Sequence, residues 1–267
     1  IIGGSGTALA GISLVSGDYT AGESGSFGSV TVYYSKASGD WNTASTWSNV
    51  SHAGPDAATP PTLTDFVVIG DGATNNHDVY VTDASSASCA TLKISTGSSL
   101  DVRASVGNTF SNVIEGEGSN GFGTLRLNSA TFPSGDWSLF NAAGAGTVEY
   151  YTDASGDITL SSSQTEYNDL SFVNDDGSPH TITFPDADLQ INGDVLIGSA
   201  SNVASLTVLS DITAPHSVSV AGNFTLSSVS PTITTTFTFQ DGQIVDVIIA
   251  GDITVDMDAG LCTASGV

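Results

Sequence analysis

The chain has 267 residues, 39% of them hydrophobic, which suffices for a substantial core and excludes disorder of the whole. Against 28 Asp and Glu stand four basic residues, Lys36, Lys93, Arg103 and Arg126, for a formal charge of -24. Nucleic acids and anionic membranes, both bound mainly by Lys and Arg neutralising phosphate, are excluded as partners, and no apolar run is long enough for a membrane-spanning helix. The polar residues are chiefly Ser, Thr, Asn, Asp and Gly, which disfavour helices and suit strands and turns, so an all-β protein is expected. Such a composition is common in secreted proteins. The acidity suits a saline or calcium-bearing medium, or serves solubility alone.

Residues 1–37 hold two short strand candidates, Gly11 to Val15 and Ser29 to Tyr34, separated by the turn-rich GDYTAGESGS. The opening IIGGSGTALAGISLV has no basic n-region and many glycines, which fits a mature or trimmed N-terminus better than a signal peptide. It is also a weakly specified strand, open to pairing with a neighbour's edge.

Residues 38–64 begin with SGDWNTASTWS, in which Trp41 and Trp47 lie six apart among polar residues, and continue into a Pro-rich loop. The two indoles are expected to cover the open end of a core, with a sugar-stacking platform as the alternative.

From Asp65 strands follow one another with little but turns between them. FVVIG, DVYVTD, ATLKIS and SSLDVR carry alternating apolar residues at Val67 and Ile69, Val79 and Val81, Leu92 and Ile94, and Leu100 and Val102. Further on, one pattern is written three times, as NGDVLI, AGNFTL and AGDITV, with Gly193, Gly222 and Gly251 spaced 29 apart. A fixed period of this size marks stacked units that cannot bury their apolar faces alone.

Aligning the apolar, any, apolar triplets backwards sets seven coils in register, beginning at Leu92, Leu125, Val148, Leu170, Val195, Phe224 and Ile253. Their middle residues should point outward, and six of the seven, Lys93, Arg126, Glu149, Ser171, Thr225 and Thr254, are polar, with Leu196 the exception. The expected fold is a parallel β-helix over residues 65–258, with residues 259–267 as a tail. An antiparallel sandwich or jelly roll is the alternative, but it does not explain the repeated 29.

The SGDWNTASTWS segment, the Pro-rich loop after it, and the runs DFVVIGDG, HDVYVTD, ATLKISTGSSLDV, GTVEYY, YNDLSFVN and INGDVLIGS together resemble the repetitive β-helix regions of large secreted bacterial surface and adhesin-like proteins. The resemblance spans roughly residues 38 to 255. It implies a location outside the cell and a structural or adhesive role, and it carries over no catalytic residue.

Motifs for chemistry are sparse. Pectin-lyase-like enzymes share the β-helix and are the main rival, yet the four basic residues are scattered. Asn174-Asp175-Asp176, the nearest carboxylate cluster, is followed by Gly177 as a turn would be. The pairs Asp186 and Asp188, and Asp256 and Asp258, offer calcium a weak oxygen site if they lie on strands, though a solvated face explains them as well. His52, His77, His180 and His216 lack zinc spacing and read as single loop histidines. Asn49 and Asn223 head glycosylation sequons.

In the expected register Cys89 and Cys262 lie six coils apart, roughly 29 Å at the strand spacing. A disulfide needs Cα atoms within about 7 Å. Free thiols or a bond between head-to-tail subunits remain. The functional expectation is an extracellular, non-catalytic subunit or segment of a bacterial surface fibre, filament or adhesin, self-associating head to tail and open to surface glycans as ligands. The alternative is a secreted carbohydrate-binding or carbohydrate-cleaving β-helix.

Overall fold

A computed structural model describes residues 30–82, 85–103, 107–116, 121–154, 156–198, 204–210, 216–227, 234–239, 246–256 and 261–265. The Gly11 to Val15 strand candidate and Asp258 lie outside these residues. In chain order the first strands are β1 Val32–Ser35, β2 Gly39–Asp40, β3 Trp47–Ser48, β4 Phe66–Ile69, β5 Asp78–Tyr80, β6 Ser88–Ile94, β7 Ser99–Asp101, β8 Thr109–Ile114, β9 Thr124–Leu127, β10 Ser134–Asp136 and β11 Thr147–Thr152. Then follow β12 Ile158–Thr159, β13 Glu166–Tyr167, β14 Asp169–Asn174, β15 His180–Phe184, β16 Leu189–Ile191, β17 Val195–Ile197, β18 Leu206–Ser210, β19 Ser217–Val220, β20 Phe224–Ser227, β21 Thr234–Phe239, β22 Asp246–Ile249, β23 Ile253–Asp256 and β24 Leu261–Ser265.

Nearly every pairing is parallel, and the strands coil into a β-solenoid. One long sheet, β2-β5-β7-β9-β11-β14-β17-β20-β23, runs the length of the described chain. In the first half it faces a single sheet, β10-β8-β6-β4-β1-β3, so the chain alternates between two walls. From β11 onward each coil visits three walls: the long sheet, then β12-β15-β18-β21-β24, then β13-β16-β19-β22.

The inner column of the long sheet runs Val79, Leu100, Leu125, Val148, Leu170, Val195, Phe224 and Ile253 in unbroken register. Six of the seven triplets set by the sequence therefore stack as expected. The Leu92 triplet does not: Leu92 pairs with Val67 and Val113 on the facing sheet, and Leu100 lies under Leu125. Both runs satisfy the same apolar alternation, because a two-walled coil carries two buried strands, and periodicity alone does not say which wall a strand joins.

The solenoid also begins earlier and runs later than expected. Val32, Tyr33 and Tyr34 of β1 pair in parallel with Phe66, Val67 and Val68, so β1 belongs to the first coil. Within the expected tail of residues 259–267, β24 pairs in parallel with β21, so Leu261–Ser265 belongs to the solenoid.

Trp41 and Trp47 are both fully buried inside the first coil, edge to face at 5.1 Å, and the Trp47 indole N–H donates to the Trp41 carbonyl at 2.7 Å. Neither ring presents a face to a sugar. The edge of β1 is covered instead by backbone, because β3 lies antiparallel along it.

The glycine motif has a geometric cause. Asp169 Oδ1 accepts from the Asp194 N–H at 2.8 Å, Asp194 Oδ1 from Asn223 N–H at 2.6 Å, and Asn223 Oδ1 from Asp252 N–H at 3.0 Å. Asp169, Asp194 and Asn223, the last two directly after a glycine, thus each brace the next coil. The side chain crosses the place where a Cβ would sit: one added at Gly222 would lie 2.3 Å from Asp194 Oδ1. Glycine is required there by space, and the ladder by the need to satisfy corner N–H groups.

Candidate functional site

The outer face of the long sheet's first half gathers the charged side chains. Register stacks Tyr80, Asp101, Arg126 and Glu149 in one column on successive strands. Arg126 is bound from three coils: Nε donates to Glu149 at 2.7 Å, a terminal nitrogen donates to Asp175 at 2.7 Å, and the other lies 3.7 Å from Asp101. Its guanidinium also stacks on the Tyr151 ring at 4.4 Å, while the Tyr151 hydroxyl donates to Asp101 at 2.8 Å.

Burial works against the charge on Arg126, but the Glu149 and Asp175 carboxylates overcome it and hold the guanidinium protonated above its ordinary range. Burial, then Asp101, pushes the Tyr151 hydroxyl up. Arg103 stacks on Tyr80 at 4.3 Å with Nε 3.5 Å from Asp101. A cleft of about 510 Å³ opens beside these groups, lined among others by Asp78, Tyr80, Asp101, Arg103, Arg126 and Glu149.

Two of the four basic residues therefore meet, although they appear scattered in the sequence. The signal was present: placing Leu100 rather than Leu92 under Leu125 puts Asp101, not Lys93, beside Arg126. Chemically the column is a clamp. Asp101 and Glu149 are two strand steps apart, roughly 10 Å, a separation that suits paired carboxylates acting on a glycosidic bond with water between them. Here Arg126 fills that gap and is bonded to Glu149.

The other sequence candidates separate. Asn174 ends β14, Asp175 turns to Arg126, and Asp176 turns to His180 Nε2 at 2.8 Å, so this cluster is a turn with diverging carboxylates. The Asp176 hydrogen bond, opposed by burial and assisted by Asp157, raises the His180 pKa. Asp186 and Asp188 sit in a bend before β16 rather than on a strand, and Asp188 Oδ1 accepts from the Ser217 N–H at 2.7 Å. Among the described residues no group of three or more His, Cys, Asp or Glu is placed to hold a metal ion.

His52 and His77 are not isolated, their rings lying 6.1 Å apart. His52 Nδ1 donates to the Ser35 carbonyl at 2.6 Å, and the Ser35 hydroxyl accepts from Gly70 N–H at 2.9 Å and lies 2.8 Å from His77 Nδ1. Burial, then His52, lowers the His77 pKa. Ser35 is fully buried, which makes this trio a corner tie rather than a nucleophile.

Cys89 is a free thiol, fully buried in the facing sheet opposite Phe110, and burial pushes its pKa up. A bond from Cys89 to a second subunit would require that strand to open. Cys262 pairs opposite Thr235 on a second-half sheet, far along the stack.

Compared with known proteins, the chain matches no protein-family model, no curated protein and no solved structure.

Proposed function

We propose that the chain is an extracellular, non-catalytic structural protein, a β-solenoid subunit or segment of a bacterial surface fibre or adhesin. The observation that carries this reading is the long sheet, nine strands in one register, whose outward charges are bound coil to coil rather than left to converge on a reactive centre. The surface composition of Ser, Thr, Asn, Asp and Gly supports a secreted setting. We further propose head-to-tail association, to which Ile253 and Val255 of β23, 64% and 44% exposed, would offer an apolar surface. Parallel edges of this kind accept a further coil, and contacts between unlike ends that do not close give filaments. Electron microscopy of concentrated protein tests the assembly: end-to-end rods are expected, and discrete monomers at high concentration would overturn it.

The carbohydrate reading keeps one specific support, the cleft beside Arg103. There the guanidinium, half covered by Tyr80, faces Asp78 and Asp101 with donors and acceptors side by side. Turnover of a neutral or acidic polysaccharide that is abolished by Arg103→Ala would replace the structural reading with this one.

A further inference from the structure

A second cleft, of about 480 Å³, lies where the solenoid changes from two walls to three. The first-half sheet ends at β10, and one of the second-half sheets begins at β13. Strand stacking is interrupted between them, and the chain crosses the step as the loop from Trp137 to Gly146. The lining includes Phe132, Trp137, Ser138, Asn141, Gln164 and Glu166.

Three features of this lining point to one ligand class. The groups are amides, hydroxyls and a single carboxylate, with no cation among the lining residues, so they offer a dense neutral hydrogen-bonding surface in a chain of charge -24. The polar groups are held in place by the fold. Asn192 Nδ2 donates to Glu166 Oε1 at 3.1 Å, Gln164 Nε2 donates to the Glu166 carbonyl at 2.5 Å, and the Ser138 hydroxyl donates to Asp136 at 2.7 Å. Gln164 and Glu166 both line the cleft, and these bonds use neither Gln164 Oε1 nor Glu166 Oε2.

Asn141 supplies the independent observation. It is only 5% exposed, and its Oδ1 accepts no hydrogen bond from the chain. A buried amide oxygen left in that condition is a destabilising feature, and such groups in folded proteins call for a specific reason. Asn141 also lines the cleft, and a ligand hydroxyl donating to its Oδ1 would supply the missing bond.

Phe132, half-buried beside Trp137, adds an apolar ring for the C–H face of a pyranose. We propose that this junction cleft binds a neutral saccharide through Asn141, Gln164 and Glu166, with Phe132 beneath the sugar. An anionic sugar is disfavoured by Glu166 and by the overall charge. The site gives the adhesive form of the functional reading a ligand and does not require end-to-end assembly.

The test is calorimetric titration of the full chain with neutral hexose oligosaccharides, an oligouronate of equal length and a short extended peptide. Binding of a neutral oligosaccharide is expected, weakened tenfold or more by Gln164→Ala and by Glu166→Ala. Both residues lie on the surface side, so folding is checked by circular dichroism. Gly177→Ala, outside both clefts and where an added Cβ meets nothing, should leave binding unchanged. The proposal is overturned if no neutral oligosaccharide binds, if the oligouronate binds as well or better, if Gln164→Ala with Glu166→Ala leaves affinity unaltered, or if only the peptide binds. Filaments without sugar binding would sink this site alone, and sugar binding by a protein that stays monomeric would sink the fibre reading alone.

Discussion

The two halves of the solenoid solve the same packing problem with different cross-sections. In the first, coils step unevenly, by 40, 21, 25 and 23 residues from Gly39 to Val79, Leu100, Leu125 and Val148, and alternate between two walls. The space between those walls is filled by a run of aromatic contacts from Trp47 through Trp41, Phe110 and Trp137 to Phe140. In the second, the step lengthens to 29, from Val195 to Phe224 to Ile253. The third wall is already present there, and rings again cross the core, from Tyr167 through Tyr150, Phe172, Phe184 and Phe237 to Phe224, among Ile, Val and Leu. The third wall needs no extra residues, since the steps from Val148 to Leu170 and from Leu170 to Val195 are 22 and 25 residues, but once the step settles at 29 a corner of constant shape permits the Gly-Asp or Gly-Asn pair at Gly193, Gly222 and Gly251. Sequence regularity here follows from geometric regularity, whereas the irregular half places the buried indoles of Trp41, Trp47 and Trp137 in its core.

If the first half depends on its rings, Trp41→Ala should cost about 3–5 kcal/mol. Hydrogen exchange would show the loss concentrated in β1 to β8, and equal loss of protection across β14 to β20 would break the distinction between halves.

Next in size is Arg126→Met, which leaves Asp101, Glu149 and Asp175 facing one another without their cation. A loss of about 2–3 kcal/mol is expected, partly restored at pH values low enough to protonate the carboxylates. Chemical denaturation at two pH values measures it.

In the second half the corner ladder is the sensitive element. Gly222→Ala places a Cβ against Asp194 Oδ1 and the Gly193 carbonyl, and should cost about 1–3 kcal/mol. The same change at Gly177, where a Cβ meets nothing, should be nearly silent in thermal melts.

The smallest effect is at the foot of that ladder. Burial, reinforced by Asp194 and opposed by the Asp194 N–H, raises the Asp169 pKa above 3.8. Its contribution is fully present below 3.8 and declines as pH rises through the raised value, so the ionised form is a mild burden at neutral pH. Asp169→Asn keeps the acceptor, as Asn223 does naturally, and should raise Tm slightly at pH 7 but not at pH 3. A fall in Tm at pH 7 would show that the charge itself braces the corner.

The sequence revealed what repeats locally. Strand alternation and the spacing of Gly193, Gly222 and Gly251 were enough to define the solenoid and align Leu125 through Ile253. What stayed hidden depends on which wall a strand joins. Leu92 and Leu100 are equivalent by pattern, and choosing between them decides whether Arg126 stands alone or within a carboxylate clamp. The pairing of His52 with His77, the burial of Trp41 and Trp47, and the junction cleft are likewise contacts between distant segments, set by three-dimensional register and by a change in cross-section that no local pattern announces.

The corner ladder also has a mechanical meaning. Each coil of the second half advances the solenoid by about 4.8 Å, yet its 29 residues, once drawn out, span roughly 100 Å. A pull on the last coil loads the bonds between it and its neighbour, so coils would release singly, each lengthening the molecule about twentyfold relative to the rise it gives up. A tether built this way yields in increments under load, and because each corner carries its own Asp or Asn acceptor, a released coil has a template on which to rewind.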